Sequence, residues 1–303
     1  MFDLTRLRLL RELAHRGTMT AVAQACHLTS SAVSQQLATL EREAGVALFE
    51  RIGRRVRLTA EGQRLAVHAE TILQAAQAAA QDLRGADAHP VGTLDVACFS
   101  SYGKRHLLAA VVRAQTRHPG LRIVVRELES HDAIDAVREG RCQLALSFAY
   151  NLVPRAEPAG LTSRLLLEEP VMLALPQRWA GHEGPLKLQA LAQEDWIVGS
   201  RQSDDSLLAE RACAVAGFAP RIAHTADDYE LLLHMVGHGL GVGFVPAMAL
   251  DSSFALAGDA RSVVVRKVAG PPLTRRIHAL TRDALANSPT VRALLAELDA
   301  DPN

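Results

Sequence analysis

Ser30, Ser31, Ser34 and Gln35 are spaced about one helical turn apart, with Gln36 beside them. A helix that reads a DNA major groove presents short polar side chains on its N-terminal turns. Serine hydroxyls and helix N-termini suit phosphate oxygens, and a glutamine amide pairs with adenine N6 and N7. Each serine would serve equally as a simple helix cap. Arg51, Arg54 and Arg55 follow in an arginine-rich stretch. They suit backbone or minor-groove contact, or a solvated surface.

A second set of candidates stands where predicted strands end. Ser100, Ser101 and Tyr102 follow one strand, and Glu129, Ser130 and His131 follow the next. Ser147 and Phe148 close a third, Ser200, Arg201 and Gln202 follow a fourth, and Thr225 ends a fifth. In open α/β lobes, ligands bind outside the carboxyl ends of the strands. Ser100 and Ser101 at a helix start suit a carboxylate or other anion, and Arg201 would add a bidentate clamp. Phe148 and Phe244 are candidates for pocket walls. Each of these residues is alternatively a strand-end cap or a loop residue.

Elements must hold these side chains in place. Leu4, Leu7, Leu10 and Leu13, with Leu9 beside them, make one apolar helical face that Gly17 stops. Thr18 then caps a short helix burying Ala21, Val22 and Ala25. His27-Leu28-Thr29 break it, and His27 is expected to take the left-handed conformation where glycine is usual. Ser30 or Ser31 caps a third helix with Val33, Leu37 and Leu40 inside and Gly45 at its end. Two short helices joined this way form a helix-turn-helix. Ile52, Val56 and Leu58 around Gly53 predict a small β-hairpin, or wing.

From Thr59 to Gly85 the chain is rich in Ala and Gln, a strong helix composition. Leu65, Ala69, Ile72, Ala76, Ala79 and Leu83 form a heptad seam. A rod of roughly 40 Å with so narrow a stripe wants a partner helix; packing on its own domain is the alternative. Residues 86–92 read as a linker. Strands and helices alternate from there to a terminal helix near 288–299. That pattern predicts two parallel α/β units with right-handed crossovers and a cleft between them.

Composition narrows the function. The 303 residues carry 33 Lys and Arg against 33 Asp and Glu. Residues 1–64 hold ten Arg against six acidic residues, whereas residues 91–303 hold 22 basic against 24 acidic ones. A basic head on a slightly acidic body points to an anionic partner for the head alone. Aromatic residues make up 4% of the chain, which favours polar strand ends over ring stacking in the body. Cys26, Cys98, Cys142 and Cys213 form no C-x-x-C pair, so neither a zinc site nor a disulfide framework is expected. Cys98 and Cys213 are read as buried small residues rather than a redox pair. No apolar segment opens the chain, so no signal peptide is expected. Leu231 to Leu250 lacks charged residues but contains two His, four Gly and Pro246; a helix, a turn and a buried strand fit it better than a membrane span. Gly237 to Gly243 lacks dinucleotide-loop spacing, and His234 and His238 lack the Glu of a zinc-protease motif. No metal or cofactor is expected.

The run from Ala21 to Glu41, followed by Gly45 to Arg51 and by Leu58-Thr59-Ala60-Glu61-Gly62, resembles the LysR-type transcriptional regulators. Length and the βαβ body extend the resemblance over the whole chain. It implies an α/β fold class: an N-terminal winged helix-turn-helix with a linker helix, then a two-lobed α/β effector domain similar to periplasmic binding proteins. The corresponding domains are 1–58 for DNA binding, 59–89 for dimerisation and 90–303 for the effector. Lobe I then takes 90–162 and 269–303, and lobe II takes 163–268. The implied partners are double-stranded promoter DNA with a pseudo-palindromic site, a small anionic effector, and a second copy of the chain through the linker helix, extending to a homotetramer. The implied protein is cytoplasmic, without membrane contact, and not an enzyme. The family often carries Gln, Pro and Arg where Ser30, Ser31 and Gln35 stand, so the base-reading set departs from it. Arg141 to Leu144 also departs, lacking a usual Asp. The competing class is a solute-binding or enzymatic α/β protein with an incidental helical head. The absent signal peptide argues against the first, and the absent nucleophile–base pair against the second.

Overall fold

The computed structural model describes residues 1–52, 55–82, 90–155, 158–201, 203–250 and 263–300. Helix α1 (Leu4–Arg16) starts at Asp3, whose carboxylate accepts from the N–H groups of Thr5 and Arg6, and stops at Gly17 with φ 72°. It buries Leu7, Leu9, Leu10 and Leu13, while Leu4 lies exposed at the open end. Helix α2 (Met19–Ala25) is capped by Thr18, as expected. His27 turns the chain with φ 55°. Helix α3 (Ser30–Ala44) packs Val33, Leu37 and Leu40 inward. Its cap is Thr29, not Ser30 or Ser31: the Thr29 hydroxyl accepts from the Ala32 N–H at 3.1 Å.

Strands β1 (Phe49–Ile52) and β2 (Arg55–Leu58) form the wing, with Phe49 opposite Leu58 and Ile52 opposite Arg55. Glu41 fixes its entry, its Oε1 accepting from the Leu48 and Phe49 N–H groups at 2.7 and 3.1 Å. Helix α4 (Ala60–Asp82) follows at once. Gly62 is required there, because a Cβ would sit 2.2 Å from the Leu48 carbonyl oxygen. The heptad seam divides between two roles. Ala66 and Ala69 are buried against α1, with Leu65 and Leu73 beside them, while Ile72 faces outward, 38% exposed.

The body is built on one seven-stranded sheet in the order β10-β6-β11-β5-β3-β4, with β9 also pairing β6. Strands β3 (Gly92–Cys98), β4 (Leu121–Glu127) and β5 (Leu144–Tyr150) are parallel, as the alternation predicts. A single turn α5 (Ser100–Tyr102), a π-helical turn (Gly103–Leu107) and helix α6 (Leu108–Arg117) connect the first two, and α7 (Ser130–Arg138) connects the next pair. The second half departs from the expectation. Strand β6 (Leu161–Pro176) is antiparallel to β9 (Gly243–Pro246), β10 (Val263–Arg266) and β11 (Thr274–Arg282). Leu161 to Pro170 pairs with β11, and Val171 to Pro176 pairs with β9 and β10. One continuous strand thus serves both parts of the body. A separate parallel pair, β7 (Asp195–Val198) and β8 (Arg221–Thr225), is joined to the residue before β9 by Trp196 bridging Val242 and is flanked by α8 (Asp204–Val215) and α9 (Tyr229–Gly237). Helix α10 (Pro289–Asp299) packs on the α6 side.

The glycine-rich run feeds β9 and serves close packing. A Cβ on Gly241 or Gly243 would lie 2.6 or 2.9 Å from a β7 carbonyl oxygen. Among the described residues, no helix is long and apolar enough to cross a membrane.

Candidate functional site

Two regions gather polar side chains that the core does not need. The first is the outer face of α3. Ser30, Ser31, Ser34, Gln35 and Gln36 are all exposed there. Thr29 does the capping, so the first two serine hydroxyls are not needed for it. Gln36 is partly committed: its Oε1 accepts from Arg6 Nε at 3.0 Å. Arg6 also pairs with Glu43, which ties α1 to the far end of α3. Arg51 and Arg55 occupy facing strands of the wing, and Arg54 lies outside the described residues.

The second region is a cavity of about 280 Å³ in the body. Phe99, Ser100, Ser101, Lys104, Arg105 and Phe148 line one side; Asp205, Asp227, Asp228, Tyr229 and Glu230 line the other, and Glu129 lies within the field of Asp205, Asp227 and Arg275. Arg275, from β11, forms part of the wall. Its side chain is fully buried. Nε donates to Glu169 Oε1 at 2.8 Å and Nη2 donates to Ser101 Oγ at 3.0 Å. The guanidinium carbon lies 5.0 Å from the ring centres of both Phe99 and Phe148, within cation–π range. Nη1 is buried with no acceptor. A buried donor left unpaired is costly, so this atom is suited to an acceptor brought by a ligand.

Tyr150, Asp205 and Tyr229 join the two sides. Both hydroxyls donate to Asp205 Oδ1, from Tyr229 at 2.9 Å, and the two tyrosine oxygens are 3.1 Å apart. Withdrawal from water raises the Asp205 pKa, opposed by the tyrosine hydrogen bonds and by the charge of Arg275. Glu129 is raised as well, by desolvation and then by the charges of Asp205 and Asp227.

The predicted strand-end residues divide. Ser100, Ser101 and Phe148 line the cavity. Tyr102 is buried beneath it, its ring 5.9 Å from Phe99. Ser130 is buried and ties the start of α7 to β5, its hydroxyl accepting from the Phe148 N–H at 2.9 Å. Ser147 is buried and lines a second groove, beside His278 and Arg276. Ser200, Arg201 and Thr225 are exposed and do not line the cavity, so Arg201 makes no clamp there; Gln202 lies outside the described residues. Phe244 is core, 5.2 Å from Trp196. Sequence reasoning missed Arg275, Asp205, Lys104 and Arg105. The available signal for Arg275 was a charged residue two and four positions before the apolar Ile277 and Ala279, and so on the same, buried face of the strand.

The cysteines are all free. Burial pushes the Cys142 thiol up to about 11 and Cys213 up to about 12, and it raises Cys98 as well. High thiol pKa values make poor nucleophiles.

Residues 87–301 match the family described as LysR substrate binding domain. Residues 4–63 match the bacterial regulatory helix-turn-helix family, lysR type. The HTH-type transcriptional regulator ShiR of Corynebacterium glutamicum is 32% identical over 238 residues, covering 73% of this chain and 78% of that protein. The transcriptional dual regulator GltC of Bacillus subtilis is 27% identical over 255 residues, covering 84% of this chain and 82% of its own. A full-length OxyR variant from Pseudomonas aeruginosa superposes with a TM-score of 0.77 at 22% identity, covering 100% of this chain and 99% of that one. These relatives are transcription regulators rather than enzymes.

Proposed function

The chain belongs to the LysR family of transcriptional regulators, and on that premise we propose that a small carboxylate-bearing effector in the body cavity sets how it binds promoter DNA. The observation that carries the effector reading is the buried, acceptorless Nη1 of Arg275 at the cavity wall. Ser100 and Ser101 add hydroxyls beside it. In this reading Arg275 takes the role first given to Arg201.

On the DNA side, Ser30, Ser31, Ser34 and Gln35 enter the major groove, and Arg51, Arg54 and Arg55 meet the backbone beside it. The protein acts as a homodimer through the outward face of α4, and the dimers assemble into a tetramer. A symmetric dimer reads symmetric half-sites. Effector binding changes DNA affinity only if two arrangements of the heads bind it differently. The test is a mobility shift on the gene's own upstream region with small carboxylates added. A specific complex altered by one of them, and no longer altered in Arg275→Met, is expected. A complex that every carboxylate leaves unchanged would overturn the effector reading.

A further inference from the structure

The cavity has two electrical walls. Lys104, Arg105 and Arg275 supply positive charge from the side of Ser100 and Ser101, whereas Asp205, Asp227, Asp228 and Glu230 supply negative charge from the other. Glu129 adds a further carboxylate at the rim. Among the described residues, none of these five carboxylates forms a salt bridge, although the charge of Arg275 acts on Asp205 and Glu129. Three of them hold only neutral donors: the hydroxyls of Tyr150 and Tyr229 on Asp205, the Ser200 N–H on Asp227 and the Leu231 N–H on Asp228. Arg275 is already neutralised by Glu169, yet its Nη1 lacks an acceptor.

We propose that the effector is a zwitterion of the amino-acid class, its carboxylate toward Arg275 and Ser101 and its ammonium toward Asp205, Asp227 and Glu129. This rests on the reading of the cavity as the effector site. A simple anion would satisfy Nη1 but would meet a surplus of like charge across the cavity. A simple cation would meet the carboxylates but leave Nη1 unpaired. A molecule with both groups answers each wall and links the two sides of the body. The volume, about 280 Å³, stands at the lower end for ligand cavities and suits a small molecule.

Isothermal titration of the full-length protein with matched probes tests this. Each set holds an L-amino acid, the acid with hydrogen in place of its ammonium, and the amine with hydrogen in place of its carboxylate. The sets run through the proteinogenic side chains. At least one amino acid is expected to bind, with both truncated probes weaker by about 10- to 100-fold, the scale of one charge-assisted hydrogen bond. Glu129→Gln, at an exposed position whose side chain makes no hydrogen bond among the described residues, is expected to weaken the amino acid and spare its deaminated acid. Equal binding of the deaminated acid would overturn the zwitterion and leave the carboxylate reading standing. Equal binding of the amine would overturn both. No binding by any amino acid at millimolar concentration would overturn the zwitterion alone, because the mobility shift tests other carboxylates separately.

Discussion

Arg275 Nε donates to Glu169 Oε1 over 2.8 Å, with the arginine fully buried and the glutamate nearly so. The other glutamate oxygen, Oε2, accepts from the Met248 N–H at 2.7 Å. One carboxylate therefore balances the cavity's buried cation and anchors the segment after β9.

Removing that balance should be costly. Glu169→Ala leaves a buried, uncompensated guanidinium, for which a loss of about 3–5 kcal/mol is expected. Urea unfolding reads it. The double variant Glu169→Leu with Arg275→Met should recover much of the loss, since an apolar pair can replace a buried ion pair. A double variant as unstable as the single one would contradict this account.

Asp205 gives a pH signature. Its folded-state pKa is raised above the 3.8 of an ordinary Asp. A raised value means that the stabilisation is complete below the unfolded pKa and is lost as pH rises through the folded one. Asp205→Asn removes that titration, while its side-chain oxygen still accepts from both tyrosines. The variant should equal the parent in acid and exceed it near neutral pH, measured by unfolding at a series of pH values. Lower stability than the parent near neutral pH would mean that the ionised carboxylate is a net contributor.

On DNA, Gln35→Ala should weaken binding to the specific site by about 1–3 kcal/mol, with little change on unrelated DNA. Charge reversal at Arg54 and Arg55 should weaken both and flatten the salt dependence. Fluorescence anisotropy at several salt concentrations separates the two patterns. A uniform loss from Gln35→Ala would assign that residue to the backbone instead.

Ile72 tests the dimer. It is apolar and 38% exposed on α4, where its neighbours Ala66 and Ala69 are buried against α1. Ile72→Glu should lower the mass seen by light scattering while leaving helix content unchanged by circular dichroism. An unchanged mass would move the interface off this helix face.

Local features were the most legible in the sequence. Gly17, Gly45 and His27 act through their own backbone, and Thr18 through a hydroxyl that accepts from the Ala21 N–H three residues on, so their roles followed from residue type. The parallel strands β3 to β5 followed from alternation. The long antiparallel strand β6 did not, because pairing direction depends on partners far along the chain. The same holds for the cavity. Ser100, Ser101 and Phe148 border β3 and β5, whose order was readable. Arg275 arrives more than a hundred residues later and meets Ser101 only through the sheet. Thr29 shows a smaller limit: three consecutive hydroxyl residues can all cap, and only the geometry chose between them.

Strand β11 carries an arginine near each end. Arg275 borders the cavity, and Arg282 Nη1 donates to Thr71 Oγ1 of α4 at 2.6 Å. Between them the strand runs on without a break, paired with β5 on one edge and with β6 on the other, where the register shifts by one residue at Leu166. Seven residues of strand span roughly 23 Å. The cavity and the helix that bears the DNA-reading head are thus opposite ends of one stiff rod, with no loop between them to absorb a displacement.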